Sequence, residues 1–403
     1  MKKRNQNPGQ LLDSFHRAGT DRFELTDVIG AQTDNTRVYT LRGSQVDWYC
    51  ITSNGSDYVM KMCPADPMRS GTGRFMKLAS LRSPGSPMHG WPIELWEEAV
   101  SISRIFIGFA DETGNYKVLP VTEQISSDFA GIGITGSAAQ TASYHLLGLV
   151  AEQTENKQMK FVTRIQHSKH GDIEKVITMR SEGYAYIPQD EALALASDVC
   201  ADGDIRYWNV TNFLTEAVYE FPKAAVRTTF GRKKGNFMPY IRYTTSDAGD
   251  SSCAFELGWE INGRSVFLAS GANRVFRTHR GEWSQPLRDS LYADAVKLKD
   301  KFVILADRMK ELNSITVLSE NIERAVRHLC SDAKITGKAI QAAFVEHVSS
   351  EFVGTDATAA EIVLSLIEAQ DAHPVLCELS DIQKVALKHK LGELPYCRIR
   401  QKI

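Results

Sequence analysis

The sequence predicts an α+β fold: an antiparallel β-rich body carrying a few helices, followed by an all-helical C-terminal region. Three observations predict it. Runs of alternating, β-branched or aromatic residues recur from about residue 27 to residue 281, punctuated by turn strings such as S-N-G-S at 53–56 and S-K-H-G-D at 168–172. Helical spacing interrupts these runs only briefly. From Ser284 onward alanine, leucine, lysine and glutamate dominate, and the apolar positions recur at helical intervals.

In chain order, residues 1 to about 24 hold a short amphipathic piece, L-L-D-S-F-H-R-A, after a polar basic lead, and an extended region follows. R-V-Y-T-L-R-G (37–43) and the pair D-W-Y-C-I and Y-V-M-K-M around S-N-G-S predict strands and a hairpin. Residues 63–92 hold Pro64, Pro67, Pro84, Pro87 and Pro92 with Gly71, Gly73, Gly85 and Gly90, which predicts a long surface loop or lid. Leu95, Ala99, Ile102 and Phe106 predict a helix with Pro92 at its start. Y-K-V-L-P-V-T (116–122) is a strand and S-A-A-Q-T-A-S-Y-H-L-L-G-L-V-A-E-Q (137–153) a second helix. M-K-F-V-T-R-I-Q-H and I-E-K-V-I-T-M-R flank S-K-H-G-D as a hairpin. Q-D-E-A-L-A-L-A-S-D-V (189–199) is a helix whose first-turn acids suit the macrodipole. The basic-aromatic strands come next, and residues 291–312 read as one long amphipathic helix. The expected regions are 1–155, α+β with the Pro/Gly-rich loop; 156–283, the basic-aromatic β-meander; and 284–403, helical.

Composition bounds the function. An apolar fraction of 43% and a charged fraction of 24% are those of a globular protein. No apolar run is long enough to span a bilayer, and M-K-K-R-N-Q-N-P-G-Q lacks the apolar stretch of a signal peptide, so no membrane association and a cytoplasmic location are expected. Seven scattered cysteines without a C-x-x-C pair predict free thiols. The net charge of −2 excludes coating of nucleic acid by bulk electrostatics, so any such contact must come from a local patch.

That patch is the window from Phe221 to Gly281. It holds ten cations against four acids, about +6 in a chain that is −2 overall. Arg227, Arg232, Lys233, Lys234, Arg242, Arg274, Arg277, His279 and Arg280 are candidates for phosphate contact, and Phe230, Phe237 and Tyr240 for base stacking. The bland alternative is an ordinary sheet with one solvated basic face and one buried aromatic face. If the stretch 274–280 continues as a strand, Arg274 and Arg280 point alike; if it is a loop, all three arginines reach one phosphate track.

Other strings carry less. G-I-G-I-T-G (131–136) spells a dinucleotide fingerprint but lacks the strand that must run into its first glycine, so it reads as a turn. No G-K-[ST] string supports ATP use. His167 and His170 lack further ligands and read as exposed imidazoles beside Lys160, Arg164 and Lys169. Glu97 and Glu98 diverge on a helix, and no nucleophile elbow occurs. No catalytic residue, metal or cofactor is therefore expected.

Y-A-Y-I-P (184–188), T-S-D-A-G-D-S-S-C-A-F (245–255), F-L-A-S-G-A-N-R-V (267–275) and T-H-R-G (278–281), followed by long helices, together resemble a phage- and plasmid-borne protein family of unknown function. In that family the turn reads approximately N-S-H-D-G-S-S-S-F and a later element H-[KR]-G, matched here by His279, Arg280 and Gly281. The turn departs from the pattern as T-S-D-A-G-D, and the family's usual cysteine in the later strand is absent from L-A-S-G-A-N. The likeness covers about residues 180–325 and implies a mobile-element setting without an assigned activity. The order helix, β-meander, long helix also resembles the core of ring-forming single-strand annealing proteins, in which a strand-lined basic groove holds the phosphate backbone.

The expected function is that of a phage-type, ATP-independent nucleic-acid-binding protein of the bacterial host cytoplasm, a homo-oligomer that favours single-stranded DNA and anneals or protects it. The alternative is a structural or host-interaction protein of a mobile element that inhibits a host protein without touching nucleic acid.

Overall fold

The computed structural model describes residues 15–51, 58–62, 73–77, 84, 92–103, 105–121, 147–148, 150–248, 251–267 and 273–397. Its N-terminal part runs β1 (His16–Gly19), α1 (Arg22–Asp34), β2 (Thr36–Arg42), β3 (Asp47–Ile51), β4 (Tyr58–Met62), β5 (Gly73–Lys77), α2 (Ile93–Ile102), β6 (Ile105–Ala110) and β7 (Tyr116–Pro120). The middle runs β8 (Gln158–Ser168), β9 (Gly171–Ser181), α3 (Gln189–Val199), β10 (Asp204–Thr211), β11 (Thr215–Glu220), β12 (Val226–Phe230), β13 (Lys233–Thr245), β14 (Cys253–Ile261), β15 (Arg264–Phe267) and β16 (Arg274–Arg277). The rest is α4 (Gln285–Val296), α5 (Ile304–Asn313), β17 (Thr316–Val317), α6 (Ile322–Asp332), α7 (Lys338–Glu351), β18 (Ala357–Thr358), α8 (Ala359–Ala372), α9 (Pro374–Cys377) and α10 (Asp381–Glu393). The molecule is α+β, with an antiparallel body and a helical C-terminal region.

An eight-stranded sheet follows the path β1-β10-β11-β13-β14-β15, with β12 on β13 and β16 on β14. A five-stranded sheet has the order β5-β4-β3-β6-β7 and a three-stranded sheet β2-β8-β9. The pairings β1–β10 and β2–β8 join residues on either side of position 155. One core cluster likewise runs from Leu25 and Ile29 through the inner face of the large sheet to Leu394 and Cys397.

Four local expectations change, the simplest being that α2 ends at Ile102, so that Phe106, read as its last apolar position, lies on β6. Residues 22–34, read as the start of an extended region, form α1, because Asp21 caps it by accepting from the Glu24 N–H at 2.9 Å while Leu25 and Ile29, one turn apart, are buried. Gly73–Lys77, inside the expected loop, is a strand paired with β4. The single helix over 291–312 is two, α4 and α5, joined by a tighter 3₁₀ turn at Lys299–Lys301. Leu291, Ala295, Leu298, Phe302, Leu305, Met309 and Leu312 remain on one buried seam across that turn, and the Phe302 ring packs 4.7 Å from that of Phe221. Residues 147–148 and 150–153 of the expected second helix are helical; its remainder and G-I-G-I-T-G lie outside the described residues.

The middle strand β13 is covered on both faces. Phe237, Ile241 and Tyr243 enter the main core, whereas Tyr240 faces the other way and packs with Val218. Tyr240 stands opposite Gly258, where any Cβ would meet its ring at 2.2 Å, so the glycine is what lets the ring lie flat. Pro239 is tolerated mid-strand because it falls between the stretches paired with β12 and β11, and there its carbonyl accepts from the Phe221 N–H at 3.0 Å.

Candidate nucleic-acid interface

Every candidate cation sits on or beside β12, β13 or β16, and the neighbours of each decide whether its charge is free for a phosphate. The β12–β13 tip is turned by Gly231, whose φ of +52° suits glycine. Glu361, the N3 residue of α8, sits under that turn. Its carboxylate accepts from the Thr358 N–H at 2.7 Å, completing a capping box, and from the Arg232 N–H at 2.8 Å and Nε at 3.2 Å. Burial raises its pKa, but these donors outweigh burial and hold the carboxyl below its ordinary value. Arg232 further donates to Thr355 Oγ1 at 3.1 Å and the Asp356 carbonyl at 2.9 Å, with its guanidinium 5.1 Å from the Phe352 ring centre. Lys233 is held between Glu351 and Glu368, each at 2.6 Å. Two of the three consecutive cations therefore staple the sheet to α7 and α8, Arg232 doing so while still half exposed, and Lys234 is exposed near Arg227 on the paired strand.

Arg242 is likewise committed. It contacts Glu216 at 2.5 Å and Glu256 at 3.4 Å, and across the strands Tyr207, Val218, Arg242, Glu256 and Arg274 form one row. Arg206 pairs with Glu220 and Glu260 on the same face. The outer face of the large sheet is thus a ladder of alternating charge, in which opposite signs stand beside each other. The expectation of a uniformly basic sheet face is corrected by these glutamates.

The stacking candidates are corrected too. Phe230, Phe237 and Tyr240 are 1%, 0% and 1% exposed. Phe230 and Phe237 meet edge to face at 5.7 Å in the main core, and Tyr240 donates to the Val266 carbonyl at 3.2 Å. Their rings have no free face.

The edge strand β16 differs. From Arg274 to Arg280 the side chains alternate between exposed and half-buried, so Arg274, Phe276, Thr278 and Arg280 are exposed while Val275, Arg277 and His279 are partly covered. The strand itself ends at Arg277, so Arg274 and Phe276 share its outward side while Arg280 is exposed beyond a bend at His279. Phe276 is 48% exposed, and the Arg274 guanidinium lies 5.1 Å from its ring centre. Arg277 turns toward α4, with Nη2 3.4 Å from Ser290 Oγ.

His279 anchors the end of this row. Its two ring nitrogens each lie 2.9 Å from a carbonyl oxygen, those of Ala185 and Ser251, and its ring stacks on Tyr184 with centres 5.0 Å apart. Tyr184 in turn donates to the Asp247 carbonyl at 2.5 Å and bridges Arg280 through the backbone. Buried Asp247 is ion-paired to Arg164, which also reaches Asn212. Tyr184 and Ala185, Asp247 and Ser251, and His279 and Arg280, far apart in sequence, therefore meet at one knot beside β16. His167 and Asp172 are 2.6 Å apart and exposed, and among the described residues no cluster of three or more His, Cys, Asp or Glu side chains could hold a metal.

Comparison with protein-family models, curated proteins and solved structures finds no match for this chain. Among the described residues no helix is long and apolar enough to cross a membrane.

Two residues escaped the sequence reading although a signal existed for each. Phe276 sits in R-V-F-R, two residues from Arg274 and hence on the same side of a strand. Glu361 ends T-A-A-E, a capping-box string.

Proposed function

We propose that the protein binds single-stranded nucleic acid, DNA preferred, along the outward row of β16, without ATP, as an annealing or protecting protein of a phage or plasmid in the bacterial cytoplasm. The observation that carries this reading is an exposed aromatic beside exposed cations: Arg274 and Phe276 on the edge strand β16, with Arg280 exposed three residues past its end. Arg274 and Arg280 attract phosphates of one strand and Phe276 offers a ring to an unpaired base, a combination that suits a single strand better than a duplex, whose bases are already stacked. Arg227 and Lys234 form a second, separate cationic spot on the hairpin. The footprint is small. Two or three phosphate contacts give a salt slope of about −1.4 to −2.1 for a single strand.

A host-interaction or structural role is the second reading, favoured by the alternating charge of the outer sheet face, which suits a charged protein surface of matching pattern better than a polyanion. A fluorescence titration with labelled single-stranded DNA, duplex DNA and RNA across a salt series separates the two. Tighter binding of single strands, with the stated slope, supports the first; no binding of any oligonucleotide at low salt rejects it in favour of the second.

A further inference from the structure

We propose that His279 is a proton-dependent tie: with both ring nitrogens protonated it holds the backbones at Ala185 and Ser251 together, and on losing one proton it lets Ser251 go. Nδ1 lies 2.9 Å from the Ala185 carbonyl oxygen and Nε2 2.9 Å from that of Ser251. A carbonyl only accepts, so each contact needs an N–H on the ring, and a neutral imidazole carries one. Only the imidazolium donates to both. The neutral ring turns a lone pair toward one of the two oxygens, and that contact becomes repulsive. The Ala185 side is held independently of the ring's protons: the Ala185 N–H donates to the His279 carbonyl at 3.1 Å, Tyr184 bridges Arg280 through the backbone, and the Tyr184 ring stacks on the imidazole. Ser251 lacks such support, because its hydroxyl donates only to the adjoining Ser252 carbonyl, at 3.2 Å. The remaining proton therefore stays on Nδ1, and the Ser251 contact is the one given up. Ala248 is held by Arg180 and Cys253 is paired with Arg277, so the release stays local to Ser251 and Ser252.

The charged and titratable groups around the ring come from each neighbouring segment. Tyr184 is stacked on it, Lys160 of β8 donates to the Tyr184 carbonyl at 2.7 Å, Arg180 of β9 donates to the Ala248 carbonyl at 2.9 and 2.6 Å, Asp247 is ion-paired to Arg164, and Arg280 follows in the chain. Among the described residues no carboxylate pairs with the ring. Two carbonyl dipoles thus favour the second proton while the surrounding cations oppose it, and no ion pair locks the ring in either state. The Ser251 tie is present while the ring keeps both protons and is lost as pH rises through the ring's midpoint. This behaviour is independent of what the protein binds.

The test is NMR of the full, isotope-labelled chain between pH 5 and 9. The two ring nitrogen shifts of His279 report how many protons the ring carries, and the carbonyl carbon shifts of Ser251 and Ala185 report the hydrogen bonds each accepts. In wild type the Ser251 carbonyl should shift with the same midpoint as the ring, the tied fraction falling by up to about tenfold per pH unit above it, while the Ala185 carbonyl moves much less. In His279→Arg, whose guanidinium stays charged across the window, the pH dependence at Ser251 should vanish. A Ser251 carbonyl that does not follow the ring, equal shifts at both carbonyls, or a ring that does not titrate within the window overturns the proposal. Should the variant not fold, wild type alone decides, since ring and carbonyl midpoints are read from the same sample.

Discussion

At the scale of single residues, two phenylalanines of the large sheet make opposite predictions. Phe237→Ala should cost about 3–5 kcal/mol of stability in urea unfolding, because the ring is fully buried against Phe230. Phe276→Ala should leave stability nearly unchanged and weaken single-strand binding by about 1–3 kcal/mol, about 5- to 150-fold, while heparin binding is unaffected. Equal losses for oligonucleotide and heparin would assign Phe276 to packing. Glu361 makes a pH prediction. Because its folded pKa is depressed, its contribution is present above the ordinary carboxylate value of about 4.3 and disappears as pH falls through the folded one. The stability gap between wild type and Glu361→Gln should therefore be widest at neutral pH and close toward pH 3. A gap that is constant with pH contradicts the assignment.

At the scale of elements, the tip G-R-K-K-G shows where sequence reasoning stops. Its composition is that of a phosphate-binding loop, and nothing local in it announces Glu351, Glu361 or Glu368, which lie more than a hundred residues later. Replacing Arg232 and Lys233 together by alanine should destabilise the fold by about 1–3 kcal/mol, since Glu361 loses one of its donors and Glu351 and Glu368 lose their shared partner, whereas Lys234→Ala should be silent in thermal unfolding. A stable double variant would show the staple to be ornamental. Strand positions, by contrast, were legible. The hairpin of β8 and β9 and the helix α3 follow from periodicity and turn chemistry alone, because each is decided by neighbours in sequence. The burial of β13 was half legible: F-M-P-Y-I has no polar alternation, the mark of a strand covered on both sides, yet its aromatic residues read as a binding surface when taken with their basic neighbours. The candidate row on β16 was legible for Arg274 and Arg280 and missed for Phe276, since exposure of one aromatic among many depends on which helices cover which face.

At the scale of the molecule, the helical region completes the core of the large sheet and does not stand apart from it. Deleting residues beyond Ser290 should yield a chain that fails to fold, because Leu305, Met309, Leu329 and Phe344 belong to the same cluster as Phe237 and Tyr243. A truncated protein with native circular dichroism and cooperative unfolding would contradict a shared core. Thiol chemistry checks the same packing. Cys377 is exposed, while Cys253 and Cys330 are buried with their thiols pushed up to about 12, so a disulfide reagent should modify Cys377 in the native protein and reach the other two only on unfolding.

The central claim is that a single strand lies on the outward row of β16, and ultraviolet crosslinking of a short single-stranded oligonucleotide, followed by mass spectrometry of the joined peptide, tests it most directly. A ring stacked on a base is well placed for such a crosslink, so the modified peptide should span Arg274 to Arg280 with Phe276 as the attachment point, and Phe276→Ala should abolish it. Crosslinks confined to other segments, or an unchanged yield in the Phe276→Ala protein, contradict the account.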